Sequence, residues 1–263
     1  MCRWIAYQGE TISLERYVTA PDHSLIEQSF RALESSSSIN GDGFGLGWYA
    51  DHEEPGLYRE VRPAWSDENL HHLCRHIRSH LFFAHVRAST GTPTTRPNCH
   101  PFVNGRWMFM HNGQVGNWSL IRRQVEALIP DAYYGARIGT TDSEALFLAI
   151  LGAGAEDDPV AATARTLAAV SDIVRASGTD EPLRFTAALS DGHALYAFRF
   201  SSDNAATSLY YRDTGDHVLI VSEPLDKDIA YWKQVPPRHA IVVRDGARAE
   251  LRPFPCGTSL AAE

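Results

Sequence analysis

The chain has 263 residues, 44% apolar and 21% charged, an ordinary globular composition with enough apolar side chains for a full core. Its 24 Lys and Arg against 32 Asp and Glu give a formal charge of −8. That balance argues against nucleic acid and against an anionic membrane surface, both of which select a basic face. No apolar run reaches the roughly 18 residues of a membrane span, and no basic leader runs into an apolar stretch. The four cysteines, Cys2, Cys74, Cys99 and Cys256, are far apart and form no C-x-x-C pair. They read as thiols, and the expected compartment is cytoplasmic.

In chain order, residues 2–8 alternate apolar and polar and predict a strand. Residues 24–34 fit a short helix capped by Asp22 or Ser24. The serines at 35–38 lead into Asn40-Gly41-Asp42-Gly43, a strong turn signal. Strands are expected at 44–50 and 57–61, and a helix at 66–79 with Ser66 or Asp67 as its cap. The apolar run 81–86 predicts a buried central strand, and 106–110 another. Helical patterns follow at 118–128, 142–151 and 160–176. The last third changes to short strands at 183–190, 193–200, 208–211, 217–221, 239–243 and 250–253. Asp191-Gly192, Thr214-Gly215 and Asp245-Gly246 separate them, and Asp-Gly between apolar runs is a hairpin signal. The order predicts an α+β fold of antiparallel sheets covered by helices, as a single domain over residues 2–263.

The chemistry starts at Met1-Cys2. Removing Met1 would leave one residue carrying a thiol, pKa roughly 8.5, and a free amine, pKa about 7.7–8.0, able to act as base for it. An attacking thiol also needs oxyanion donors and a means of holding substrate. His111-Asn112-Gly113, expected directly after the strand 106–110, offers an amide and a backbone N–H. Arg87, at the end of the strand 81–86, can grip a carboxylate bidentately. Asp142, at a helix start, can take an ammonium. Each has a plainer reading: Asn112-Gly113 as a turn, Arg87 as half of a structural ion pair, and Asp142 as part of a helix start capped by Thr141, Asp142 or Ser143. Together they fit a substrate with an amino-acid head and a side-chain amide, namely glutamine or a γ-glutamyl compound.

At this point the chain resembles the class II glutamine amidotransferases, N-terminal-nucleophile hydrolases. The motifs are Met1-Cys2, Asn40-Gly41-Asp42-Gly43-Phe44-Gly45, His85-Val86-Arg87-Ala88-Ser89-Thr90-Gly91, Asn98-Cys99-His100-Pro101-Phe102, His111-Asn112-Gly113 and Thr141-Asp142-Ser143-Glu144. Ser222-Glu223-Pro224-Leu225 resembles a late segment of the family. The resemblance implies Cys2 as nucleophile, its amine as base, and Asn112 and Gly113 as oxyanion hole. It implies Arg87 on the substrate carboxylate and Asp142 on its ammonium, with His85 and Thr90 as further substrate-binding candidates. It also implies a four-layer αββα sandwich of the stand-alone type, without a synthase domain.

Neither a metal nor a cofactor is called for. His71 and His72 face different directions on a helix, and the glycines at 41–47 match no nucleotide-binding pattern. Two alternatives stand beside the amidase: an N-terminal-nucleophile hydrolase of another acyl amide, and a subunit that is inactive or delivers ammonia to a synthase partner.

Overall fold

A computed structural model describes residues 2–34, 39–89, 91–203, 205–244 and 248–256. The expectations that fall on Met1, the serines at 35–38, Thr90 and Asp245-Gly246 lie outside the described residues. The elements in chain order are β1 (Arg3–Ser13), α1 (Glu15–Val18), α2 (Leu25–Phe30), β2 (Phe44–Trp48), β3 (Gly56–Glu60), α3 (Glu68–His76), β4 (Arg78–Val86), β5 (Phe102–Asn104), β6 (Trp107–Gln114), α4 (Trp118–Glu126), α5 (Asp131–Tyr134), α6 (Asp142–Gly152), α7 (Pro159–Ala176), β7 (Arg184–Ser190), β8 (Ala194–Ser201), β9 (Tyr210–Asp213), β10 (His217–Val221), β11 (Lys233–Gln234), β12 (His239–Arg244) and β13 (Glu250–Pro253).

Two antiparallel sheets carry the fold. The first has the order β11-β9-β10-β1-β4-β2-β3 and the second β13-β12-β8-β7-β6-β5. β4 lies between β1 and β2, the central position its apolar run predicted. Side chains alternate across a strand, so parity sorts them into layers. Trp4 and Ala6 of β1, Leu81 and Phe83 of β4, and Met108 and Met110 of β6 form the core between the sheets. Ile5, Tyr7, Phe82 and Ala84 face the other way, against the side of α1, α2 and α3. Phe109, Phe185 and Phe198 pack with Leu146, Ile150 and Leu167 of α6 and α7. The layers therefore run helix, sheet, sheet, helix. Each fully buried large apolar side chain contributes about 1.5–3 kcal/mol. Among the described residues no helix is long and apolar enough to cross a membrane.

Several boundaries differ from the sequence expectation. The helix expected over 24–34 stops at Phe30, because the N–H groups of Leu33 and Glu34 turn to the Glu223 carboxylate at 2.8 and 3.0 Å. Of the two candidate caps, Ser24 accepts from Glu27 N. In α3 the cap is Asp67, accepting from Leu70 N at 3.1 Å. β1 continues past residue 8 to Ser13 through a register shift between Gln8 and Ile12. The strand expected at 106–110 runs on to Gln114, so His111-Asn112-Gly113 lies inside β6, where Asn112 pairs with Thr186. The turn reading of Asn112-Gly113 is thereby removed.

Candidate active site

The site lies where one end of the two sheets meets the N-terminus of α6. Cys2 continues the parity of Trp4 and Ala6, and Arg87 that of Leu81, Phe83 and His85. Asn112 continues that of Met108 and Met110. All three side chains thus belong to the layer between the sheets. Cys2 is half-buried. Its thiol donates to Ala88 O at 3.6 Å and accepts from Ala88 N at 3.4 Å.

Arg87 is buried, 3% exposed, and its backbone N–H donates to Gly43 O at 2.8 Å. Its guanidinium donates to Asp42 O at 3.4 Å, Ser89 Oγ at 3.1 Å and Thr92 Oγ1 at 2.7 Å. All three are neutral oxygens, and among the described residues it pairs with no carboxylate. The structural ion pair fails as an account of Arg87. A buried guanidinium held by neutral acceptors keeps its charge available for a ligand anion. The turn around Gly43 braces this segment, with Asp42 Oδ2 accepting from Ser89 N at 2.7 Å. Gly43 sits at φ +108°, and a Cβ there would stand 2.7 Å from Cys99 Sγ, which only glycine accommodates.

Asn112 is 2% exposed, and its Nδ2 is buried without a hydrogen-bond partner among the described residues. An orphaned buried amide donor is costly, and it stands in the same layer as the thiol. Gly113 is required by crowding: a Cβ would lie 2.0 Å from Arg184 O and 2.4 Å from His111 Nε2.

Asp142 is the first residue of α6, but Thr141 is the cap, accepting from Glu144 N at 3.2 Å. The Asp142 carboxylate instead accepts from Val115 N at 2.8 Å and Ser143 N at 2.8 Å. No Lys or Arg pairs with it among the described residues. Asp142, Gly91, Thr92, Gln114, Trp118 and Glu181 line one open cleft of about 420 Å³. Glu144, by contrast, is spent on structure, bound to Arg137 at 2.9 Å and to Gly139 N at 2.8 Å.

His85 lies beneath the site and stacks on His100 with ring centroids 4.2 Å apart. Burial pushes its imidazole down to about 3, against a smaller opposing pull from the His111 carbonyl. Burial likewise holds His100 well below the usual imidazole range. Both are neutral rings near neutral pH. Cys99 is fully buried, and burial raises its thiol pKa, against an opposing pull from Arg87. Ser143, a candidate cap from the sequence, does not cap α6; its hydroxyl meets His111 Nδ1 at 2.8 Å. Among the described residues no cluster of three or more His, Cys, Asp or Glu could hold a metal ion.

This four-layer sandwich is the fold of the N-terminal-nucleophile hydrolases. The family model of the glutamine amidotransferases class-II matches residues 19–212, and the chain belongs to that family. It is 32% identical to the probable glutamine amidotransferase DUG3 of Saccharomyces cerevisiae, over 93% of this chain and 82% of that protein. It is 30% identical to the γ-glutamyl-hercynylcysteine sulfoxide hydrolase of Mycolicibacterium smegmatis, over 93% and 96%. Among solved structures, a glutamine aminotransferase class-II domain protein from Silicibacter pomeroyi superposes with a TM-score of 0.77 at 41% identity, covering 97% of this chain and all of that one. The glutamine phosphoribosylpyrophosphate amidotransferase of B. subtilis shares the fold, with a TM-score of 0.65 at 15% identity over 97% of this chain and 49% of that one.

Proposed function

We propose that the chain is a single amidohydrolase unit that cleaves the side-chain amide of glutamine, or of a γ-glutamyl amine, through a Cys2 thioester. The observation that carries this reading is Asn112 Nδ2, a buried donor in the layer of the thiol that has no partner among the described residues. The reading requires Cys2 to be the first residue of the working protein. Its amine takes the thiol proton and the sulfur attacks the γ-carbonyl carbon. Asn112 Nδ2 and the Gly113 N–H receive the oxyanion. The proton passes to the departing nitrogen, the C–N bond breaks, and ammonia or an amine leaves. Water then attacks the thioester, releasing glutamate and restoring the thiol.

The head group is held at two points. Arg87, which pairs with no carboxylate among the described residues, takes the α-carboxylate, and Asp142, which pairs with no Lys or Arg among them, takes the α-ammonium. Thr90 and His85 complete the substrate side in this reading, His85 as a neutral ring below Arg87. These two unpaired charges favour an amino-acid substrate over a neutral acyl amide, which would leave both idle. Both relatives named above carry amidotransferase or γ-glutamyl hydrolase names, which supports the same substrate class. The four free cysteines suit a reducing, cytoplasmic setting.

The test is turnover of glutamine and of a γ-glutamyl amine by the wild type and by Cys2→Ala. Loss of turnover in the variant is expected, and equal rates overturn the reading. A glutaminase rate that rises only when a second protein is added would favour delivery of ammonia to a synthase partner.

A further inference from the structure

A side-chain hydrogen bond joins β6 to α6, between His111 Nδ1 and Ser143 Oγ at 2.8 Å. The direction of that hydrogen bond follows from the other ring nitrogen. His111 Nε2 lies 3.1 Å from the Arg184 carbonyl of β7, which can only accept. Nε2 therefore carries the hydrogen, and in the neutral ring Nδ1 is the acceptor. Ser143 must donate to it. Burial keeps this imidazole below its usual pKa, although Asp142 and the Arg184 carbonyl pull the other way.

Ser143 Oγ also lies 3.3 Å from Asp142 Oδ1. A hydroxyl has one hydrogen, so it cannot serve both acceptors. The shorter contact, to Nδ1, takes it. Among the described residues Asp142 then keeps the backbone N–H of Ser143 on Oδ1 and that of Val115 on Oδ2. A carboxylate has about four lone-pair sites, so lone pairs remain for a ligand. His111 is wedged on its strand by Phe185, with centroids 5.1 Å apart, and stands 2.4 Å from where a Gly113 side chain would begin.

We infer that Ser143 and His111 are positioning residues, which lock the ammonium-binding carboxylate of Asp142 to the oxyanion strand and turn the one competing hydroxyl hydrogen away from it. This inference rests on the amidohydrolase reading. Neither side chain touches substrate in it. Removing the Ser143 hydroxyl leaves Nδ1 buried without a donor and frees the start of α6 to shift against β6.

The test compares Ser143→Ala and Ser143→Thr on two substrates, glutamine and 4-carbamoylbutanoate, which lacks the α-amine. Ser143→Ala should raise KM for glutamine about tenfold, with a smaller change in kcat. The des-amino substrate should show no such rise, and Ser143→Thr, which restores a hydroxyl, should recover most of the loss. An unchanged KM, or an equal rise on both substrates, overturns the inference. A second measurement stands apart from activity: the ¹⁵N shifts of His111 in the wild type near neutral pH. A neutral ring protonated on Nε2 is expected. The opposite tautomer or an imidazolium overturns the inference, even if glutamine proves not to be a substrate. Absent turnover in the wild type would strike the proposed function alone.

Discussion

The sulfur of Cys2 lies 3.4 Å from the backbone nitrogen of Ala88, the residue directly after Arg87. The candidate nucleophile is therefore held against the stretch of backbone that carries the candidate carboxylate grip, the continuation of β4 beyond Val86. A glutamine chain spans a fixed length from its α-carbon to its γ-carbonyl. A carboxylate anchored at Arg87 sets how far along that length the sulfur meets the substrate, which is the positional contribution an enzyme makes to a bimolecular attack.

Arg87→Lys should therefore not behave as a conservative change. Lysine keeps the charge but loses the planar fork that Asp42 O, Ser89 Oγ and Thr92 Oγ1 hold in place. Steady-state kinetics should show KM for glutamine rising by about tenfold or more, in line with a lost charge-assisted hydrogen bond. An unchanged KM would remove Arg87 from substrate binding.

Asn112→Ala removes the donor whose Nδ2 is buried and unpartnered. Because an orphaned donor adds no stability, the melting temperature should hold or rise slightly. The rate should fall by about a hundredfold to a thousandfold in kcat, as for other oxyanion donors. A large loss of stability with little loss of rate would assign Asn112 to the scaffold instead.

Glu223 predicts a pH dependence of stability. It is 2% exposed and meets His23 Nε2 at 2.5 Å, Leu33 N, Glu34 N and, at 3.7 Å, the buried guanidinium of Arg3. Burial pushes its carboxyl up, but those donors together hold it below the usual range. A depressed carboxylate contributes stability that is complete above its unfolded pKa, about 4.3, and is lost as pH falls through the folded value. Denaturant melts should show the wild type losing more stability than Glu223→Gln as pH falls below that point. Near neutrality Glu223→Ala should cost about 3–5 kcal/mol, since it strands Arg3 in the core. Parallel pH curves for wild type and Glu223→Gln would contradict this role.

Much of the fold was legible in the sequence for a local reason. The apolar run at 81–86, the Asp-Gly break at 191–192 and the capped starts of α3 and α6 are signals carried by neighbouring residues. The site motifs were legible because each sits at or near the end of such an element. What could not be read was which faces meet. Cys2, Arg87 and Asn112 share a layer only because two sheets stack with one parity, and no local pattern encodes that. Composition also sends charged residues to the surface, so Arg3 and Glu223, both buried and linked across the chain, gave no sign of their pairing. Glu223 in turn explains why α2 ends early. The Ser143–His111 contact was hidden behind the cap reading of Thr141, Asp142 and Ser143, which resolved onto Thr141.

The most direct measurement is intact mass followed by peptide mapping, after incubation with a chloroketone analogue of glutamine. The account predicts a chain that begins at Cys2 and gains one adduct, on Cys2, suppressed by excess glutamine. A protein that retains Met1 while turning over its substrate, or an adduct that forms on another residue and ignores glutamine, would contradict it.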